Sequence, residues 1–336
     1  MPRVLKMNKA GNYIVILFNL GGPDALDAVE PFLFNLFSDH DIFKLPFGQN
    51  LFARIMSRLR APKVSKRYKH IGGKSPINEL TELQRSMLEH ELAKIAPGLK
   101  VYTAMRYWNP TIKDVAEKIT DHPVDKIVLL PLYPHYSITT TGSSFNEWKR
   151  VYKQGPEKLV YINDYFDNPQ YILAVNEKID QAIQLFPEHV RPDIQIVFSA
   201  HGVPESLVKK GDPYTIQIEQ TVRCVMEGRA FSHDYHLCFQ SKVGPAKWVG
   251  PSTDKMIESL AEKGKKQLLI VPISFVSDHI ETLFELDVEY RQVAEKANID
   301  HYIVMKGLND SGTFVGALKD LVLKTLQIED AAGCNT

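Results

Sequence analysis

Two stretches of the chain, IVILFNLGGP at 14–23 and IQIVFSAHGVP at 194–204, follow one pattern: an apolar run, a polar residue, then a Gly/Pro turn into a helix. A second pair echoes them, KIVLLPLYPHYS at 126–137 and QLLIVPISFVSD at 267–278. Between these, RYWNPTIKD (106–114) matches SKVGPAKWVGPSTDK (241–255), each a strand end, a Trp and a Pro-started helix. A repeat on this scale predicts two copies of one unit. The apolar runs are continuous rather than alternating, which means strands covered on both faces, hence parallel sheet with helices either side. Strands are expected at 13–19, 100–105, 126–132, 194–200, 236–240 and 267–273. The fold class is therefore α/β, with the strand ends of two doubly wound copies around a shared cleft where such sheets bind ligands.

The 336 residues are comfortable for two cores. At 44% hydrophobic and 24% charged the composition is that of an ordinary globular protein. Forty basic residues balance forty acidic ones, which speaks against a nucleic-acid binder. Cys224, Cys238 and Cys334 form no C-x-x-C pair, which disfavours a disulfide framework or cysteine-bound zinc and fits a reducing compartment. No apolar run approaches the roughly 18 residues of a membrane span. Tyr13 to Leu20 leads straight into a turn, so no signal peptide is expected.

The polar KQGPEK segment places a lobe boundary at 155/156. This divides the chain into a first lobe 1–155 carrying an insertion at 31–70, a second lobe 156–310, an amphipathic helix 311–328 and a frayed tail 329–336. The insertion is rich in phenylalanine and ends in a basic cluster. It reads either as a helical hairpin packed on the core, or as an apolar lip over a flat ligand or at a membrane interface.

The chemistry gathers in VPISFVSDHIETLFELDVEY, 271–290. Ser277 or Asp278 is a natural helix N-cap, and Glu281 has the spacing of a capping box. That role leaves Glu285 and Glu289 unexplained. Residues four apart drift only modestly around an α-helix, and a π-type widening stacks 281, 285 and 289 almost in line. Leu283, Leu286 and Val288 interleave with this acidic stripe. Such a line of hard oxygen ligands suits a divalent cation. His201 sits just past the matching strand end of the second copy. It reads as a hydrogen-bonded structural residue, or as an imidazole facing the carboxylates across the cleft, able to ligate a metal or accept a proton near neutral pH. NLGGP lacks the dinucleotide fingerprint, YKHIGGKSP (68–76) and YSITTTGSS (136–144) match no P-loop, and no G-x-S-x-G elbow is present.

Seven stretches in order, NLGGPDALDAVEPFLFNLFSD, YKHIGGKSPINELTELQ, MRYWNP, LPLYPHYSITTTGSS, FSAHGVPESLVKKGDPY, QSKVGPAKWVGPST and VPISFVSDHIETLFELDVEY, resemble the ferrochelatase family. The resemblance runs over residues 13 to 325. It implies two Rossmann-like, chelatase-type lobes around a porphyrin cleft, and a lyase that inserts Fe2+ into protoporphyrin IX in the last step of haem synthesis. His201 resembles the family histidine that accepts pyrrole protons or binds metal, and Glu281 its opposing metal-site carboxylate. Asp278 and His279 stand beside it, with Glu285 and Glu289 along an iron route. Arg60, Tyr68, Ser75 and Arg106 match positions associated with the propionates or pocket wall; Leu20, Trp248 and Phe275 match apolar pocket positions. The 31–60 segment corresponds to a lip that touches a membrane in some members. The partners implied are protoporphyrin IX and ferrous iron, with no cofactor beyond that substrate iron. With Cys334 alone in the tail, a [2Fe-2S] cluster is not expected. A cytoplasmic bacterial enzyme, in peripheral contact with the inner membrane where the lip touches it, is the expectation. A coproporphyrin ferrochelatase or another tetrapyrrole chelatase ranks second, and a porphyrin- or metal-binding protein is the non-enzymatic alternative.

Overall fold

The computed structural model describes residues 11–328 apart from 44, 243 and 245. The expected frayed tail 329–336, with Cys334, lies outside the described residues.

The first sheet contains β1 (Tyr13–Asn19), β2 (Lys100–Met105), β3 (Lys126–Pro131) and β4 (Leu159–Tyr161), in the order β2-β1-β3-β4. The second contains β5 (Gln195–His201), β6 (Tyr235–Gln240), β7 (Gln267–Pro272) and β8 (His301–Val304), in the order β6-β5-β7-β8. All these pairings are parallel. One topology occurs twice. The registers pair Phe18 with Pro131 and Ser199 with Pro272, so Leu20 and His201 occupy the same place in the two copies. The two edge strands β4 and β8 were not expected. β4, which follows the boundary expected at 155/156, pairs with β3 in the first sheet.

The helices divide between the lobes. α1 (Val29–Phe37), α2 (Gln49–His70), α3 (Ile77–Ala93), α4 (Ile112–Ile119) and α5 (Ser143–Val151) accompany the first sheet. α6 (Pro169–Ile183), α7 (Glu205–Val208), α8 (Tyr214–Gly228), α9 (Thr253–Glu262), α10 (Tyr290–Lys296) and α11 (Gly312–Leu326) follow. The echoed Pro110 and Pro251 sit just before the helices rather than inside them. Thr111 caps α4 in a reciprocal box with Asp114, and Ser252 is the N-cap of α9.

Alternation along β1 shows why both faces had to be apolar. Ile14, Ile16 and Phe18 pack outward against Phe145 and Trp148. Val15 and Leu17 face inward and join a core that runs through Leu88, Tyr171, Ile196, Phe198 and Phe314. The lobes therefore share one interior. α11 packs on α6 of its own lobe and on α3 of the first, which ties the C-terminal end back across the molecule.

The 31–70 insertion forms a helical hairpin, α1 against α2. Its packing is unusual in one respect. The face of α2 turned inward carries small residues, Ala53, Ser57 and Ala61, while Leu51, Ile55 and Leu59 point to solvent, with Phe47 91% exposed just before the helix. Phe52, Met56 and Val64 pack in the cluster with α1, and Leu51, Ile55 and Leu59 are left on the outer face.

Candidate active site

β5 and β7 lie side by side, so the end of one and the turn after the other meet above the sheet. His201 is the last residue of β5, and Glu281 opens a π-helix, Glu281–Glu289, that follows β7. The His201 Nδ1 lies 2.9 Å from Glu281 Oε2. The backbone of His201 is held on both sides: its N–H donates to Ser274 Oγ at 2.9 Å and its carbonyl accepts from the Tyr214 hydroxyl at 3.0 Å. Gly202 is needed next, because a Cβ there would come within 2.8 Å of the Gln240 carbonyl oxygen.

Burial opposes ionisation of both partners, yet their mutual attraction wins. For His201, desolvation pulls downward, but the Glu281 charge and hydrogen bond, with a contribution from Glu285, raise its pKa above 6.5. For Glu281, desolvation pulls upward, but the charge and hydrogen bond of His201 and the neighbouring His279 hold it well below the usual carboxylate range. The pair is an imidazolium and a carboxylate at low pH. His201 and Glu281 were expected to oppose one another across the cleft; they instead touch directly, which leaves no room for a ring between them.

Glu281, Glu285 and Glu289 all lie on the nine-residue π-helix. The latter two are engaged. Glu285 accepts from Ser241 N at 2.8 Å and Ser241 Oγ at 2.6 Å, with the Tyr290 hydroxyl at 3.2 Å. Burial first, then the Glu281 charge, raises its pKa against those bonds. Glu289 pairs with Arg67 of α2 at 2.8 Å, and the Arg67 guanidinium also lies 5.5 Å from the Phe284 ring centroid.

Asp278 does not join the stripe. Its oxygens accept from Thr282 Oγ1 at 2.9 Å, Gly307 N at 3.1 Å and Asn309 Nδ2 at 2.6 Å, which makes it the buried anchor of the turn. The capping-box role considered for Glu281 is not formed either: Asn309 Oδ1, not Glu281, accepts from the backbone N–H of Asp278, at 2.9 Å. His279 Nδ1 faces the Ser277 carbonyl at 3.1 Å, so that nitrogen carries the proton and Nε2 turns toward Glu281 Oε2, 3.8 Å away. Phe275 packs against His279 at 4.4 Å and edge-on to His201 at 6.3 Å. Among the described residues, no three His, Cys, Asp or Glu side chains converge as a preformed ligand set.

Of the wall residues, Tyr68 is buried on α2, bonded to Ser75 and close enough to Glu281 for that charge, after burial, to raise its hydroxyl pKa. Leu20 and Trp108 pack with the lip cluster of α1 and α2. Trp248 pairs through its backbone with Pro204, beside Gly202. Arg60 lies over the Phe37 ring at 5.7 Å. Arg106 has partners of its own: its guanidinium is 3.0 Å from Asp39, a buried ion pair, and donates to Ser143 Oγ at 2.7 Å.

The sequence model of the ferrochelatase family matches residues 13–326. The chain belongs to the ferrochelatase family. It is 47% identical over 319 residues to the ferrochelatase of Geotalea uraniireducens, covering 94% of this chain and 98% of that one. With the ferrochelatase of Aquifex aeolicus it shares 46% over 311 residues, 92% and 97% of the two chains. Among solved structures it is similar to SirB from Bacillus subtilis with Fe3+, at a TM-score of 0.55 and 13% identity over 96% of this chain and 98% of that one. It is also similar to the sirohydrochlorin chelatase SirB of Bacillus subtilis subspecies spizizenii in complex with cobalt, at a TM-score of 0.53 and 10% identity over 96% and 98%. These two likenesses show the fold alone, a two-lobed chelatase architecture.

Ferrochelatases insert Fe2+ into a porphyrin on the way to haem, and the chain is a lyase of that family. Several residues of this ferrochelatase site escaped the sequence reading. Ser241, Tyr214, Ser274 and Arg67 each hold a group of the site by a side-chain bond from another element. Ser241 had one signal: it opens the SKVGPAKWVGPST stretch directly after a strand. Its φ of 66° marks it as a residue held in the left-handed region without being glycine.

Proposed function

We propose that this chain inserts Fe2+ into protoporphyrin IX to form protohaem, with His201 accepting pyrrole protons and Glu281 meeting the metal on the same face of the ring. The observation that carries this reading is the 2.9 Å contact between His201 Nδ1 and Glu281 Oε2. The reaction replaces two N–H bonds by metal–nitrogen bonds and releases two protons. A carboxylate held far below its ordinary pKa stays ionised and offers an oxygen to iron as its waters leave. The same carboxylate fixes the neutral imidazole with its proton on Nδ1, which leaves the Nε2 lone pair to take a pyrrole proton, the logic of a carboxylate-oriented general base. The imidazolium so formed is stabilised by Glu281.

A flat macrocycle keeps its nitrogen lone pairs in the ring plane, so the ring must bend before a metal can enter from one face. Binding against the apolar lip supplies that strain, of order 1–5 kcal/mol. Glu285, whose pKa is raised, serves as the next holder of a proton, and Glu289 marks the mouth of the stripe beside the lip.

The membrane reading of the lip rests on the exposed Phe47, Leu51, Ile55 and Leu59, interleaved with exposed Arg54 and Arg58. An apolar stripe with basic neighbours suits an anionic bilayer surface. No helix of the described residues is long and apolar enough to cross a membrane. The lip is thus the surface by which the enzyme would make peripheral contact with a membrane.

The test is metallation followed by loss of porphyrin fluorescence, with Fe2+, Co2+ and Ni2+ each supplied to protoporphyrin IX and to coproporphyrin. The proposal expects turnover fastest with Fe2+ and protoporphyrin IX. Faster metallation of coproporphyrin assigns the other porphyrin, and stoichiometric quenching without turnover assigns a binding protein.

A further inference from the structure

The segment Gly211–Tyr214 has no part in the mechanism above, yet it reaches the proton acceptor. The duplication shows why it has to. In the first lobe the backbone N–H of Tyr107 donates to the carbonyl of Leu20 at 3.0 Å. Leu20 corresponds to His201, and by the paired registers of β2 and β6, Tyr107 corresponds to Ser241. In the second lobe that N–H is diverted: Ser241 N donates to Glu285 at 2.8 Å. The His201 carbonyl is instead taken by the hydroxyl of Tyr214, at 3.0 Å.

Tyr214 is itself gripped by the first lobe. The buried Asp212 carboxylate accepts from Tyr214 N at 3.0 Å through one oxygen. Through the other it accepts from Ser137 Oγ at 2.9 Å and Ile138 N at 2.8 Å. The Tyr214 ring meets His135 of the same first-lobe loop edge-on at 6.1 Å. His135 bonds Thr221 of α8 at 2.8 Å. A loop of one lobe thus holds a tyrosine that holds the catalytic strand end of the other.

We propose that Tyr214 is a positioning residue for His201, its hydroxyl fixing the backbone from which the imidazole reaches Glu281, with Asp212 locking Tyr214 to the first lobe. This deepens the proposed function and rests on it. A misplaced base slows proton transfer without weakening either substrate, since Tyr214 acts on the backbone of His201 rather than on a bound ligand.

The test is steady-state metallation of protoporphyrin IX with Fe2+ by the full-length Tyr214→Phe enzyme, with porphyrin affinity titrated separately. The expected result is a fall in kcat on the order of tenfold, with both KM values and porphyrin affinity within about twofold of the parent. Unchanged kcat, or a rise in porphyrin KM that accounts for the whole loss, overturns the inference. If Tyr214→Phe fails to fold, Asp212→Asn, which keeps the tyrosine, carries the test: a smaller loss confined to kcat supports the latch and unchanged kcat overturns it. His201→Ala is measured alongside. Turnover surviving in His201→Ala defeats the proposed base itself. An inactive His201→Ala beside a fully active Tyr214→Phe defeats only the positioning role.

Discussion

His201 Nδ1 and Glu281 Oε2, 80 positions apart in sequence, lie 2.9 Å from one another across the tops of two neighbouring strands. The contact raises one pKa and depresses the other, so it sets when the imidazole is free to act as a base.

The first prediction is a pH profile. Proton acceptance needs neutral His201, and its pKa is raised above 6.5, so kcat rises with pH along a limb centred above that value. Glu281→Gln removes the main counter-charge, and its limb moves to lower pH while the plateau falls by about tenfold or more from loss of the metal-facing oxygen. The check is kcat against pH for both enzymes; superimposable limbs contradict the coupling.

The same shifts predict a stability window. The raised His201 contributes stability that is fully present below 6.5 and lost as pH rises through its folded pKa. The depressed Glu281 contributes stability present above 4.5 and lost as pH falls through its folded pKa. Denaturant melts of the parent and His201→Ala should therefore differ most between these two values. With the imidazole side chain 38% exposed, the pair's share is about 1 kcal/mol. A difference that grows steadily toward high pH contradicts it.

Further along the π-helix, Glu285→Gln should raise the iron KM by roughly three- to tenfold and leave the porphyrin KM within about twofold. Glu285 is bound by Ser241 rather than by the ring wall, which is why the iron side should carry the effect. Equal changes in both constants argue against any part in handling iron or its protons.

The fold was legible because its strands are covered on both faces. β1 reads YIVILFN, and six of its seven residues are buried. β4 and β8 escaped because strands of three and four residues at a sheet edge, paired on one side, leave almost no pattern. The helix that carries Glu281, Glu285 and Glu289 was legible as spacing, since it needs only the local pitch. What was not legible is which charged groups are taken. Asp278 is anchored by Asn309, Glu289 by Arg67 and Arg106 by Asp39, and no local period reports such distant partners. The direct pairing of His201 with Glu281 is of the same kind, because it depends on the adjacency of β5 and β7.

The lip makes a prediction at the membrane. Replacing Leu51, Ile55 and Leu59 together with glutamine removes apolar surface that is already exposed, so the melting temperature should hardly move. Flotation with anionic vesicles should fall at least several-fold, by the lost apolar burial. Turnover with detergent-solubilised porphyrin tests the other use of the lip: retained kcat with unchanged porphyrin KM assigns the stripe to the membrane, and a raised porphyrin KM assigns it to the ligand.

The central claim is that His201 removes the pyrrole protons while the porphyrin is held by other groups. Single-turnover metallation by His201→Ala, with porphyrin binding titrated on the same preparation, tests it most directly. The account predicts that porphyrin binds with affinity within about threefold of the parent while metal insertion falls by at least a hundredfold. Insertion at a rate close to the parent, with porphyrin bound, contradicts it.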